Sequence, residues 1–335
     1  MGAQRVGPAV SLSAQRTYRN LRVVMLGALA ALSAAVLYQT AQQGSLLGSI
    51  SAYYYTPAQS IFVGALIGLG LAMIALRGTN DVEDVLLNLA GIAAPVIALV
   101  PTPRGSDFRA ARRACEDAGV IVSGARPGAH GQLDCPTIRG LVAANRVNVQ
   151  NNMLAYLVPG LLALVFAWYL LYRETTAAKA RSGPTPTARF RWSIVIATAA
   201  WLLVTSVYFW NLDWLVDNAH FCAAIILFVL IVGVVVANAF RLSEVSATST
   251  GSTVHRIGHG VTSALDGPGR WYGYYAIFMV AVTVIVASLW GFGPLSLFWV
   301  ESTVIGLFAV FWIRQTREQY VNEIVGLQAE LIPRP

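Results

Sequence analysis

Three short stretches of this chain carry most of the side chains able to do chemistry. The first is Ser49-Ile50-Ser51-Ala52-Tyr53-Tyr54-Tyr55-Thr56-Pro57, where hydroxyls crowd into nine residues. In the second, Asp213, Asp217 and His220 stand at i, i+4 and i+7, so a helix that began early would put all three on one face. The third is Glu301, beside Ser302 and Thr303 and otherwise surrounded by Phe298, Trp299, Val300, Val304 and Ile305. A carboxylate in such a run is costly against lipid, so it is expected to face a helix bundle and find a partner there. His220 and the tyrosine hydroxyls are candidate partners. Together, Ser51, Tyr53, Tyr54, Tyr55, Asp213, Asp217, His220 and Glu301 suit a polar pocket for a small molecule, a lipid or a partner. In a carrier version, Glu301 exchanges a proton as the ligand binds.

Two other readings compete. Asp217 and His220 could be metal ligands or an acid/base pair in an intramembrane metal-dependent lipid hydrolase. Hydrolytic zinc normally has three protein ligands and a water, whereas one histidine with three carboxylates stands here, which favours binding over catalysis. The chain could also be a structural or accessory membrane subunit. Each residue has an ordinary role as well. The tyrosines suit an interfacial aromatic belt, the aspartates a solvated loop, and His220 an interhelical hydrogen bond rather than a metal. No motif calls for a cofactor or a resident metal.

The elements that must position these residues are apolar helices. A hydrocarbon core about 30 Å thick takes roughly 20 apolar residues of helix. Eight stretches qualify, near 22–39, 58–77, 84–101, 153–172, 192–210, 219–240, 272–290 and 294–313. With 56% hydrophobic and 12% charged residues, a soluble domain is excluded. The expected fold class is all-α: a polytopic membrane protein, a bundle of eight transmembrane helices with one long extracytoplasmic loop. The divisions are a tail at 1–21, a transmembrane domain at 22–314 and a tail at 315–335. Within the domain lie an outside loop at 102–152 and inside linkers at 173–191 and 241–270. The first crossing reads as a retained helix rather than a removed signal peptide.

Charge sets the expected orientation. With the N-terminus inside, 16 of the 23 Lys and Arg residues fall on cytoplasmic segments, as the positive-inside tendency requires. The other seven (Arg104, Arg109, Arg112, Arg113, Arg126, Arg139 and Arg146) lie in the one long outside loop, where the rule has little force. Both termini are therefore expected to be cytoplasmic, in a plasma membrane. The net charge of +7 is then a topology and lipid signal. Membrane lipids are the expected partners, with a small-molecule or lipid ligand, no nucleic acid, and protein partners undetermined.

Cys115 and Cys135 are the only cysteines of the outside loop, in a compartment that permits oxidation. A disulfide between them is expected to stabilise the loop by roughly 3 kcal/mol in the chain-entropy model. Ser106 can start a short amphipathic helix through Cys115. Cys222 reads as a small buried filler. Asn80 followed by Glu83 resembles a capping box, and Gly64, Gly68 and Gly70 a small-residue packing face. His255 and His259 have metal-helix spacing but sit in a Gly- and Ser-rich stretch, which favours a solvated loop.

The 49–57 segment, continued by Phe62-Val63-Gly64, resembles a signature of uncharacterised bacterial multi-pass integral membrane proteins. His220-Phe221 with Ala223-Ala224, and Phe298-Trp299-Val300-Glu301 with Phe311-Trp312, are similar to later blocks of that family. The resemblance implies a membrane fold and no particular activity. More distantly, Ser51, Asp217 and His220 resemble part of the Ser, Asp and His set of ceramidase and progestin-receptor-like membrane hydrolases. That family's late pair of histidines is replaced here by Glu301.

Overall fold

The computed structural model describes residues 12–76, 78, 81–104, 106–117, 135–181, 188–248 and 270–331. The fold is all-α, with no strand among the described residues. Helix α1 is Leu12–Gln43, followed by a short 3-10 helix, Ser51–Tyr55. Then come α2 (Gln59–Ala75), α3 (Asp81–Leu99), α4 (Ser106–Asp117), α5 (Cys135–Arg181) and α6 (Ala188–Trp210). The last are α7 (Leu212–Thr248), α8 (Arg270–Gly291) and α9 (Leu297–Leu331).

This is a multi-pass membrane protein. Among the described residues, seven helices are long and apolar enough to cross a bilayer. The eighth expected crossing is α2, a shorter apolar helix of 17 residues. It starts at Gln59 and ends at Ala75, one residue inside the expected stretch at its start and two at its end. Elsewhere the helices outrun the apolar windows. α1 starts within the expected N-terminal tail, α5 extends into the expected 173–191 linker as far as Arg181, and α9 continues to Leu331. α7 begins at Leu212, early enough to carry Asp213, Asp217 and His220 on one helix. The Asn80 cap, the Pro-containing stretch at 182–187, and His255 and His259 lie outside the described residues.

Burial separates lipid-facing from central helices. The apolar windows of α5 and α6 are only 11% buried, against 56% for α3. Apolar side chains such as Leu162, Phe166 and Leu203 are exposed because lipid, rather than protein, is their solvent.

The chain divides into two compact units whose boundaries fall inside α1, α2, α3 and α7, not between its two halves. Unit 1 comprises Met1–Leu37, Gly68–Gly91 and Leu230–Pro335. Its core holds Met25, Met73, Leu87, Val234, Met279, Phe311 and Trp312, all fully buried. α8 packs along α9, where the Tyr275 hydroxyl donates to the Leu307 carbonyl at 2.5 Å. Close approach of α2 and α3 depends on Gly91: a Cβ there would stand 2.6 Å from the Gly70 carbonyl oxygen. Of the expected packing face of Gly64, Gly68 and Gly70, Gly70 lies at this contact, whereas Gly64 and Gly68 have nothing within 4 Å of an added Cβ.

Unit 2 comprises Tyr38–Ile67 and Ile92–Val229. α5 packs on α6 and also carries α4. Pro95 interrupts the hydrogen-bond ladder of α3, and the last carbonyls of any helix lack partners within it. Side chains from other elements supply them. Tyr156 of α5 donates to the Ile92 carbonyl at 2.8 Å and Asn152 to that of Leu99 at 3.2 Å. His220 Nδ1 donates to Val100 at 2.6 Å, and the Tyr55 hydroxyl to Thr102 at 2.6 Å. The C-terminal part of α3 is thus a central post tied to α5, α7 and the 3-10 helix.

Candidate functional site

That tied-down end of α3 leads into the segment carrying Arg104, and there unit 2 opens a cavity of about 400 Å³. α4 forms one wall. Its Phe108, Ala111, Arg112 and Cys115 recur at i, i+3, i+4 and i+7, the spacing of one helical face. Cys115 is buried and bonded to Cys135, the first residue of α5, with the Cα atoms 5.6 Å apart. The expected disulfide therefore staples the end of α4 to the start of α5. α5 contributes Leu141, Val142, Asn145 and Arg146, and the first turns of α7 contribute Asp213, Val216 and Asp217.

The lining is dominated by guanidinium groups. Arg104, Arg109, Arg112, Arg113 and Arg146 face three carboxylates, Glu116, Asp213 and Asp217, leaving a formal excess of two positive charges. All three carboxylates are engaged. Arg112 donates to Glu116 at 2.7 Å and stands 3.7 Å from Asp217, and Arg146 is 3.0 Å from Asp213. Hydrogen bonding to Glu116 raises the Arg112 pKa, with burial opposing it. Arg104 lies over the Tyr55 ring at 4.1 Å and over Phe108 at 5.5 Å. Such stacking uses the face of the guanidinium and leaves its N–H edge available. Burial pushes the Tyr55 hydroxyl up to about 12, against the pull of Arg104, so it stays a donor at neutral pH.

Of the eight residues expected to form a site, the cavity brings together Tyr55, Asp213 and Asp217. Tyr53 is fully buried, its hydroxyl hydrogen-bonded to Thr40, and the Leu47 N–H donates to the same oxygen at 3.4 Å. Tyr54 packs edge-on against Tyr55 and Phe62. Ser51 is buried in the 3-10 helix. His220 is buried one turn below Asp217, its ring facing the carbonyls of Val100 and Ile97. A carbonyl can only accept, so Nδ1 carries the proton there; Nε2 has no hydrogen-bond partner among the described residues. Glu301 is buried in α9, within unit 1. Among the described residues, no three His, Cys, Asp or Glu side chains gather as a metal site. Cys222 is unpaired and half-buried in α7.

The arginines are what sequence reasoning passes over. They enter it only as exceptions to the positive-inside count. The signal that could have found them is the α4 pattern, which places Arg112 on the same face as Phe108 and Cys115. Helical architecture and apolar span lengths define the class as a multi-pass α-helical membrane protein. No protein-family model, curated protein or solved structure matches the chain.

Proposed function

We propose that this is a plasma-membrane protein that binds a small molecule or lipid in the cavity between α4, α5 and α7, with both termini cytoplasmic and the cavity outside. The observation carrying the reading is the cavity itself. Its volume of about 400 Å³ lies in the range of ligand sites, and it combines apolar walls with convergent charged groups. Its closing wall, α4, is held by a disulfide, which suits an oxidising compartment. That placement agrees with the basic residues counted on the opposite side of the membrane. The resemblance to bacterial multi-pass proteins supports the membrane class and adds no activity.

The test is a thermal-shift screen of the purified protein against neutral, cationic and anionic small molecules and lipids, repeated on Val142→Trp, which fills the cavity. At least one compound should stabilise the wild type and lose that effect in the variant. A screen in which no compound distinguishes the two proteins sinks the reading. For orientation, a C-terminal reporter that fluoresces only in the cytoplasm should light up; a dark, fully expressed fusion reverses the topology.

A further inference from the structure

The way the charges are paired carries the reading of this cavity one step further. An arginine-lined surface is unremarkable when each guanidinium has its own carboxylate, and here that is not so. Arg112 and Arg146 take up all three acidic side chains. Arg109 and Arg113, on successive turns of α4, have no ion-pair or hydrogen-bond partner among the described residues. Arg104 is held by two aromatic faces rather than by an anion. Three arginines thus line one small cavity with their hydrogen-bonding edges uncommitted. The two paired guanidiniums leave one negative charge over from the three carboxylates, but the lining as a whole keeps an excess of two positive charges that favours an anion. A planar guanidinium offers paired donors whose spacing matches two oxygens of a phosphate or carboxylate.

We propose that the cavity binds the anionic head of its ligand, a phosphate or carboxylate group, through Arg104, Arg109 and Arg113. This rests on the reading of the cavity as a ligand site. Its volume admits a head group or a small anion and not a whole lipid, so the chains of a lipid ligand would extend along the apolar side formed by Leu141, Val142 and Val216. A lipid head group and a free phosphate share this chemistry, and the experiment separates them.

Full-length protein in neutral phosphatidylcholine nanodiscs is titrated with pyrophosphate, and separately placed in nanodiscs doped with phosphatidylglycerol, with bound lipid counted by native mass spectrometry. The variants are Arg109→Gln/Arg113→Gln, which breaks no ion pair among the described residues, and Arg113→Lys, which keeps the charge and loses the fork. Removing the two guanidiniums should weaken binding of the anion by about a hundredfold, each charge-assisted pair contributing about tenfold. Arg113→Lys should fall between. Guanidinium-dependent retention of phosphatidylglycerol without pyrophosphate binding assigns a lipid head group, and the reverse assigns a soluble anion. If neither anion distinguishes the double variant from wild type, the proposal is overturned. The ligand site itself still stands in that case if a neutral or cationic compound binds wild type and not Val142→Trp, and falls with it if none does.

Discussion

Each unit contains arginine and carboxylate side chains, and the cluster around Arg22 in unit 1 behaves oppositely to the set lining the cavity in unit 2, although unit 1 also carries an exposed pair, Arg314 with Glu318. In unit 2 the arginines line an open cavity and both sides of every pair keep solvent exposure, from 37% for Arg112 to 75% for Asp213. In unit 1, Arg22 is 1% exposed and Glu83 is fully buried. Glu83 is the leading opposite charge acting on Arg22, and the guanidinium also lies over the Trp312 ring at 5.1 Å. Gln315 extends the cluster, donating to Glu83 at 3.3 Å and to Asn238 at 3.4 Å. Lipid offers no hydrogen bonds, so charges inside a membrane helix need protein partners. Water supplies them at the cavity. The same residue types therefore organise helices in unit 1 and remain available to a ligand in unit 2.

The sharpest way to break this contrast is Glu83→Leu. It leaves the Arg22 guanidinium buried without its main counter-charge, and breaking a buried pair on one side costs about 3–5 kcal/mol. Thermal unfolding in detergent should show a loss larger than that of any disulfide, glycine or exposed-pair variant. Adding Arg22→Met should recover most of that loss, because removing both charges removes the uncompensated one. If the double variant is as unstable as Glu83→Leu alone, packing rather than charge holds the cluster.

The disulfide comes next. Cys115→Ser/Cys135→Ser opens a loop with a sequence separation of 20 and should remove about 3 kcal/mol from the docking of α4. The loss should be local, seen as faster hydrogen exchange across 106–117 with α8 and α9 unchanged. A global loss would mean that the cavity wall supports the whole chain.

Much of this is legible in the chain, and the remainder is hidden for definite reasons. Apolar runs near 20 residues announce crossings, and α2 differs from its expected stretch only by a few residues at its ends. The Cys115–Cys135 bond follows from two cysteines sharing one loop. The early start of α7 is implied by the i, i+4, i+7 set. His220 is harder: its partner is the Val100 carbonyl, and backbone acceptors have no signature in a sequence. Arg22 reads as a flanking charge, and so does Gln315 among Arg314, Thr316, Arg317 and Glu318; only Asn238, set in the apolar run of α7, signals a buried polar cluster. Gly91 escapes notice because its neighbours, the Gly70 carbonyl and Ile74, come from another helix, and a contact between helices leaves no spacing signature in either.

Gly91→Ala tests unit 1 by packing instead of charge. Its Cβ would meet the Gly70 carbonyl oxygen and Ile74 Cγ1, each at 2.6 Å. A backbone oxygen cannot swing aside, so α2 and α3 must separate, at a cost of about 1–3 kcal/mol. Gly68→Ala, with nothing within 4 Å of the new atom, is the matched control and should unfold with the wild type. Equal losses in both would remove Gly91 as the contact that sets helix spacing.

Arg146→Gln should have the smallest effect and says most about why the two units differ. It breaks an ion pair as short as many buried ones, 3.0 Å, yet both partners are open to solvent. Such pairs are worth about 0.2–1 kcal/mol, because water solvates whichever charge is left. Salt screens exposed charges over about 10 Å at 0.1 M, so the small difference from wild type should shrink further as salt is raised. The cost of Glu83→Leu should hardly respond, since ions do not reach a fully buried carboxylate. If Arg146→Gln instead proves as costly and as insensitive to salt as Glu83→Leu, the cavity is dry. Its arginines would then be structural, as Arg22 is, and the distinction between an organising cluster and a binding surface would collapse.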